Sequence, residues 1–162
     1  MAKPKVVVKI FAYVIRFDGA AAQGEPRLLV MESDAVPGRF EVVRGKAEKS
    51  DPSIVFTGLR EVYEEAGLDS DALAFESEIG QNLWQPPHRL NRIEEQHALV
   101  FRAPDGLPER FDHVVVSDAG DNGLLFRYHW KPITPALTHE LAEGADTFVP
   151  HLLKWVQEFR TV

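Results

Sequence analysis

The sequence contains no cysteine, so a disulfide framework and a metal site built from thiolates are excluded. It also lacks a long apolar segment. The opening apolar run is far shorter than the roughly 20 residues that cross a bilayer, and Lys9 and Arg16 interrupt it. Its first residues contain no signal-peptide cleavage site. We therefore expect no membrane segment and a cytoplasmic location.

Basic residues are outnumbered, with 18 lysines and arginines against 25 aspartates and glutamates. The formal net charge of -7 repels nucleic acid polymers and anionic membranes, so neither is an expected partner. The six histidines include no pair at the spacing of a zinc site. Neither a nucleophile elbow nor a glycine-rich phosphate-binding loop occurs, so acyl-transfer and kinase chemistry have no support.

The composition that remains is that of one globular domain over residues 1–162, with 44% hydrophobic and 27% charged residues. Apolar patterning predicts strands over 5–17, 27–32, 40–43, 74–81, 97–102 and 124–130, and a C-terminal helix over 148–160. A turn at Asp18-Gly19 and a loop over 20–26 separate the first two strands. This order indicates an α/β or α+β fold, a mixed sheet flanked by helices, whose oligomeric state stays open between monomer and homodimer.

The clearest helix lies between Asp51-Pro52 and Gly67. Asp51 suits the N-cap, Pro52 the first helical position, and Gly67 the left-handed residue that closes a helix. The helical period gathers the apolar side chains on one face and three acidic side chains opposite. The apolar set is Val55, Phe56, Leu59, Val62, Tyr63 and Ala66, and the acidic set is Glu61, Glu64 and Glu65. We expect the helix to bury the apolar face and to expose the acidic one.

The three glutamates lie one helical turn apart, so their like charges repel. Arg60 can pair with Glu64, but no basic residue lies four positions from Glu61 or Glu65. A hard divalent cation such as Mg²⁺ or Mn²⁺ would resolve the repulsion, because it prefers carboxylate oxygens. Solvation of an acidic surface would resolve it too, and spacing alone leaves both interpretations open.

Residues 60–68, REVYEEAGL, match in full the second half of the Nudix box, Arg-Glu-aliphatic-any-Glu-Glu-any-Gly-aliphatic. On this motif the chain resembles the Nudix hydrolase (MutT-like) family, with a box-like segment over 45–68. The resemblance implies an α/β/α sandwich in which Glu61, Glu64 and Glu65 hold Mg²⁺ or Mn²⁺ and Arg60 orients a box carboxylate. It also implies metal-dependent hydrolysis of a nucleoside diphosphate linked to another moiety, a small-molecule substrate.

The first half of the box departs from the family pattern. Asp51 stands where the family has glutamate, and one extra residue precedes Arg60. Arg44 replaces a frequent glycine whose backbone carbonyl can bind the metal, and that carbonyl ligand survives the replacement. Gly58 replaces a frequent alanine, which costs a helix about 1 kcal/mol.

Further site residues are predicted from their positions. The family often recruits another acid, and besides Asp51 the candidates are Glu94, Glu95, Asp118 and Asp121. Among these four, Glu95 and Asp121 are favoured because each precedes a predicted strand. Arg44 and Lys46 flank Gly45 and would suit an incoming phosphate, although simple surface placement is the alternative. Trp84 offers a flat surface on which a base could stack, although a buried tryptophan would be ordinary.

The sequence thus predicts a metal-dependent pyrophosphohydrolase in which Glu61, Glu64, Glu65 and Arg60 carry the chemistry. The altered first half of the box favours one alternative, a non-catalytic module with the same fold that binds a nucleotide or a protein.

Overall fold

The computed structural model describes residues 3–17, 25–33 and 36–160. Within these ranges the backbone forms eight strands and three α-helices, with a short 3-10 turn at Ser70–Ala72. The strands are β1 (Lys5–Phe17), β2 (Pro26–Glu32), β3 (Phe40–Glu41), β4 (Val43–Lys46), β5 (Ala74–Trp84), β6 (Arg92–Arg102), β7 (Arg110–Val114) and β8 (Leu125–Pro132). The helices are α1 (Ile54–Ala66), α2 (Leu137–Glu140) and α3 (Val149–Arg160).

These strands form one mixed sheet whose main path runs β5-β6-β1-β2-β8-β7, while β3 pairs with β2 and β4 pairs with β1. β1 pairs in parallel with β6, and the other pairings are antiparallel. The predicted bounds of β1 are confirmed, and the strand is buried on both faces from Ile10 to Phe17. A central strand covered on both sides explains the nearly continuous apolar run.

Each face of the sheet carries its own hydrophobic core. On one face, Phe11 and Tyr13 of β1 pack with Leu152 of α3. On the other face, Ile10 of β1 packs with Val62 of α1. A mixed sheet between two helical layers is the α/β/α sandwich that the resemblance implies. No helix in the described residues is long and apolar enough to cross a membrane.

The predictions missed β7 and α2, as well as the 3-10 turn and residues 44–46 of β4. β7 is an edge strand between two predicted loops, and α2 has only four residues and no side-chain cap. The structure also extends β5 to Trp84 and starts β6 at Arg92, which shortens the loop between them. The strand predicted over 40–43 is interrupted at Val42. The turn predicted at Asp18-Gly19 lies outside the described residues.

Helix α1 begins two residues later than predicted. Its N-cap is Ser53, whose hydroxyl oxygen accepts a hydrogen bond from the backbone N–H of Phe56 at 3.1 Å. Asp51 is therefore not the cap, because its carboxylate accepts from the Thr57 hydroxyl and from Arg60 instead. The predicted end is confirmed, since Gly67 has the left-handed φ of 71° and its N–H bonds to the carbonyl of Tyr63.

The core explains why Gly58 stands where alanine would be the better helix former. A Cβ at this position would lie 2.7 Å from Cζ of Phe101 and 3.2 Å from Cδ1 of Leu99. Overpacking of a core costs typically 1–3 kcal/mol, which outweighs the gain of about 1 kcal/mol in helix propensity. Glycine is therefore required by packing rather than by backbone conformation.

We expect Gly58→Ala to lower the free energy of unfolding by about 1 kcal/mol, measured by urea denaturation, because the ring of Phe101 must shift. The same substitution in a Phe101→Leu background should destabilise less, because the smaller side chain leaves room for the methyl group. If Gly58→Ala instead stabilised the protein by the full propensity gain, the close contact with Phe101 would be wrong.

Candidate metal and substrate site

Helix α1 turns two of its three predicted acidic ligands inward. Glu61 is 9% exposed and Glu65 is 5% exposed, whereas Phe56 is 45% exposed and Tyr63 is 58% exposed. The expectation that the helix exposes its acidic face is wrong for this pair, and so is the solvated-surface alternative. Burying two adjacent charged carboxyl groups costs free energy unless other groups compensate their charge.

Backbone contacts from the second half of the sheet fix the acidic turn of α1. The Tyr128 hydroxyl donates to the backbone carbonyl of Glu65 at 2.9 Å, and the N–H of Val116 donates to the carbonyl of Glu64 at 3.2 Å. A ring nitrogen of His113 also lies 3.2 Å from that carbonyl. The end of the helix is thereby tied to β8 and to the β7 region.

Gly45 of β4 provides the space that the Glu61 carboxyl occupies. A Cβ at Gly45 would lie 2.0 Å from Cδ of Glu61 and 2.2 Å from its Oε1. The absence of a side chain at this point lets the carboxyl lie directly against the strand. The box glycine and the first box glutamate are therefore in contact, although 16 positions separate them in the sequence.

Glu61 and Glu65 form a buried carboxyl pair one helical turn apart. Burial raises the pKa of Glu61 above its usual range, and Arg60 partly opposes that rise. For Glu65, burial and the neighbouring Glu61 both raise the pKa. Among the described residues, nothing donates a hydrogen bond to the buried Oε2 of Glu65. Without a cation the pair therefore retains a proton and leaves one carboxyl oxygen unsatisfied.

The guanidinium of Arg60 connects the acidic helix to the loop before it. It donates to both carboxylate oxygens of Asp51, at 3.0 and 2.9 Å, and to the backbone carbonyl of Lys46 at 3.1 Å. Its remaining terminal nitrogen lies 3.1 Å from Oε1 of Glu61 and 3.2 Å from Oε2 of Glu64. Arg60 thus touches two of the three predicted metal ligands, and its orienting role stays a prediction.

Both carboxylate oxygens of Asp51, one of the predicted additional acids, accept hydrogen bonds from neighbouring protein groups. Hydrogen bonds donated by Arg60 are the main reason that the pKa of Asp51 is lowered to about 2. The Thr57 hydroxyl and the backbone N–H of Glu48 also donate to its Oδ2. A metal would have to compete with all of these donors, so the geometry favours Asp51 as the anchor of Arg60.

Whether these side chains can bind a divalent cation depends on which of their carboxylate oxygens have no hydrogen-bond partner. In residues 3–17, 25–33 and 36–160, no three acidic or histidine side chains enclose a metal site as they stand. Glu64 directs one oxygen at Arg60. The buried Glu61–Glu65 pair, with one unpartnered oxygen, nevertheless offers the oxygen donors that Mg²⁺ and Mn²⁺ prefer. The residues therefore fit a hard cation, with Glu64 as the third carboxylate of the predicted ligand set.

A cavity of about 790 Å³ opens beside the acidic turn, and we call it the acid cavity. Its lining joins the acidic residues Glu48, Glu61, Glu64, Asp118 and Asp121 to the basic residues Lys5, Arg44, Lys46, Lys49 and Arg60. The predicted phosphate-binding pair Arg44 and Lys46 thus shares a cavity with two predicted metal ligands. Lys5 and Lys49 were missed, because nothing in their local sequence indicates that they meet this cavity.

The loop acids separate into two groups. Asp118 and Asp121 line the acid cavity. Burial raises the pKa of Glu64, and the charge of Asp121 adds to that rise. Glu95, the other favoured acid, lies within β6 rather than before a strand and is 3.4 Å from a ring nitrogen of His97. Glu94 is buried between Lys9 and Arg92. Neither Glu94 nor Glu95 lines the acid cavity.

A second cavity, of about 780 Å³, contains the predicted stacking residue Trp84, and we call it the amide cavity. Its lining includes Asn82, Glu94 and Gln96. The Trp84 side chain is 39% exposed, so it is not the buried tryptophan that was the alternative. Arg44 lines both cavities, which makes them neighbours on either side of β4.

The raised pKa values give a stability prediction for protein without divalent cations. The folded state keeps protons on Glu61 and Glu65 that the unfolded chain releases above about pH 4.3, so stability must fall as the pH rises. Between pH 5 and 9 in a chelating buffer, we expect the free energy of unfolding to decline by at least about 1.4 kcal/mol, the equivalent of one pKa unit.

In Glu65→Gln this decline should be smaller, because the buried pair is removed. Comparing the decline in the two proteins removes the contribution of other titrating groups, such as His129. Burial lowers the pKa of His129. Glu158→Gln, on the exposed side of α3, is the matched control and should follow the wild type. Equal slopes for the wild type and Glu65→Gln would show that the pair is not buried as described.

Comparison with known proteins supports the fold. No model of a protein family matches the chain, and no curated protein matches it. The Ap4A hydrolase of C. elegans in a binary complex superimposes with a TM-score of 0.63 at 10% identity, over 94% of this chain and 98% of that one. The Nudix hydrolase RenU of M. smegmatis gives 0.62 at 12% identity, over 98% and 90%.

The Nudix domain of Shewanella oneidensis NrtR complexed with ADP ribose gives a TM-score of 0.59 at 11% identity, over 96% of this chain and 90% of that one. The chain therefore has the fold of Nudix hydrolases. The fold predicted from the motif at residues 60–68 is confirmed.

Proposed function

We propose that this chain is a metal-dependent pyrophosphohydrolase that cleaves a diphosphate linkage in a nucleotide-like substrate. One observation carries the proposal: a buried pair of box glutamates, with an unpartnered carboxyl oxygen, lies on the box helix of a Nudix fold. Burial without a partner is costly, and a divalent cation would relieve that cost.

The chain's own residues divide the work of the reaction. Glu61, Glu64 and Glu65, with the backbone carbonyl of Arg44, would hold Mg²⁺ or Mn²⁺. When bound, the cation would neutralise the diphosphate and activate the attacking water. Arg44 and Lys46 would hold the substrate phosphates in the acid cavity.

The proton of the attacking water needs an acceptor at the edge of this cluster. Glu64 is the acceptor that the placement favours, because its side chain is 21% exposed in the acid cavity while Arg60 holds only one of its oxygens. Glu65 and the loop acid Asp121 remain the alternative acceptors.

The test is a panel of nucleoside triphosphates, nucleotide sugars, dinucleoside polyphosphates and ADP-ribose, each with Mg²⁺ or Mn²⁺. Ap4A and ADP-ribose come first, because the C. elegans protein is an Ap4A hydrolase and the NrtR domain was crystallised with ADP ribose. We expect turnover that falls by about 10²–10⁴-fold in Glu64→Gln. Glu158→Gln should retain full activity.

The second candidate is a binding module without turnover. It is favoured by the bond between Glu64 and Arg60, which engages one oxygen of the third carboxylate. Tight binding of one panel compound, with no hydrolysis at any cation concentration, would show that the chain is a binding module and not an enzyme.

A further inference from the structure

The amide cavity contains a chain of hydrogen bonds whose direction is fixed by charge. At one end, the Glu94 carboxylate lies 3.5 Å from Nζ of Lys9 and 3.2 Å from a guanidinium nitrogen of Arg92. Between these two cations its carboxylate oxygens accept hydrogen bonds. The Gln96 amide nitrogen donates to it at 3.3 Å.

This donation determines how the next amide must be oriented. Gln96 turns its nitrogen to Glu94, so its oxygen faces Asn82 and accepts from Nδ2 of Asn82 at 3.2 Å. Asn82 must then present its own carbonyl oxygen elsewhere. No described residue donates to that oxygen. Glu94 and Gln96 are both 4% exposed, so the two groups behind Asn82 cannot easily rotate to another arrangement.

The free edge of Asn82 is therefore an acceptor beside one remaining N–H donor, within the same cavity as Trp84. Adenine presents the complementary pattern, an amino-group donor beside a ring-nitrogen acceptor, which asparagine recognises through two hydrogen bonds. An exposed aromatic face nearby would stack on the ring of such a base.

We propose that the amide cavity is a nucleobase pocket in which Asn82 reads the amino edge of an adenine that stacks on Trp84. Gln96 and Glu94 act as positioning residues, because they fix the orientation of the Asn82 amide. The inference rests on the proposed function, since Arg44 would connect the base in the amide cavity to the diphosphate in the acid cavity.

The test uses equilibrium binding without divalent cations, so that it does not depend on turnover. ADP is compared by calorimetry with purine riboside 5′-diphosphate, which lacks the amino group. We expect wild-type protein to bind ADP about tenfold more tightly, the value of one hydrogen bond. In Asn82→Ala, which loses both hydrogen bonds, the two affinities should become equal, at a value below that of the analogue for the wild type. In Trp84→Ala both should weaken by about 5–150-fold while their ratio is preserved.

Asn91→Ala is the matched control, an exposed asparagine on the same β5–β6 hairpin that lines neither cavity. It should bind both ligands as the wild type does. If Asn82→Ala fails to fold, the comparison of the two ligands on wild-type protein still decides the point.

Equal binding of ADP and its analogue by the wild type would overturn the inference, as would an unchanged ratio in Asn82→Ala. No ADP binding, together with metal-dependent hydrolysis of another diphosphate, would overturn the base pocket and leave the proposed function intact. ADP binding that depends on the amino group, without hydrolysis of any diphosphate, would support the base pocket and contradict the proposed hydrolase activity.

Discussion

Gly45→Ala is expected to abolish cation-dependent stabilisation and to lower catalytic turnover by more than about 100-fold. The added methyl group would lie 2.0 Å from Cδ of Glu61, so the carboxyl must leave its position. Loss of an outer-shell partner of a metal ligand typically costs 10–100-fold, and displacement of a ligand should cost at least as much.

The fold itself should tolerate the substitution. The backbone of Gly45 has no positive φ, and the group that must move is the end of a side chain. Alanine is also a better strand residue than glycine. In a chelating buffer we therefore expect the free energy of unfolding to change by less than about 1 kcal/mol.

Gly120→Ala is the control, because its Cβ would meet nothing within 4 Å and its φ is not positive. It should bind cations as the wild type does. Retention of cation-dependent stabilisation by Gly45→Ala would show that the Glu61 carboxyl does not need the space above Gly45, and would remove it from the proposed ligand set.

Arg60→Met should be the most destabilising single change in the site, with an expected loss of about 3–5 kcal/mol in the free energy of unfolding. The side chain is 16% exposed and bonds to Asp51, Glu61 and Glu64. Its removal would leave these carboxylates close together without a neutralising charge. The pKa of Asp51 should then rise from about 2 toward its usual range.

Arg60→Lys separates charge from geometry. Lysine keeps the positive charge but cannot make the paired hydrogen bonds to Asp51, so an intermediate loss is expected. Arg127→Met, at an exposed position on β8, should change stability by less than about 0.5 kcal/mol. A loss below about 1 kcal/mol for Arg60→Met in urea denaturation would contradict the network.

The motif over residues 60–68 was sufficient to predict the fold through its resemblance to the Nudix box, and its spacing places Glu61 and Glu65 on one turn of a helix that ends at Gly67. What spacing could not give is the direction in which that turn faces. The prediction assumed that apolar side chains mark the buried side. Here Gly45 makes room for the Glu61 carboxyl against β4, and Tyr63 is left exposed.

The additional acids show a second limit. Asp121 and Glu95 were favoured for the same local reason, a position before a predicted strand. Only Asp121 lines the acid cavity, because the loop before β8 lies near α1, whereas Glu95 belongs to β6 on the other side of β1. Strand order decides this outcome, and strand order depends on pairings between distant parts of the chain.

Asn82 was missed for a related reason. It has no distinctive local sequence, and its importance comes from Gln96, which lies opposite it on the neighbouring strand. Trp84, in contrast, was named from the sequence, and it is exposed rather than buried, while its stacking role stays a prediction. The local sequence around Trp84 gives no indication of the acid cavity. Among the described residues, Arg44 alone lines both the acid cavity and the amide cavity.

The central claim is that the buried glutamates of α1 bind a divalent cation. Its most direct test is the count of bound Mn²⁺ at pH 8 by electron paramagnetic resonance, which needs no substrate. We predict at least one Mn²⁺ per wild-type chain, retained in Glu158→Gln and lost in Glu61→Gln and Glu65→Gln. Equal Mn²⁺ binding by all four proteins, or none by the wild type at millimolar Mn²⁺, would contradict it.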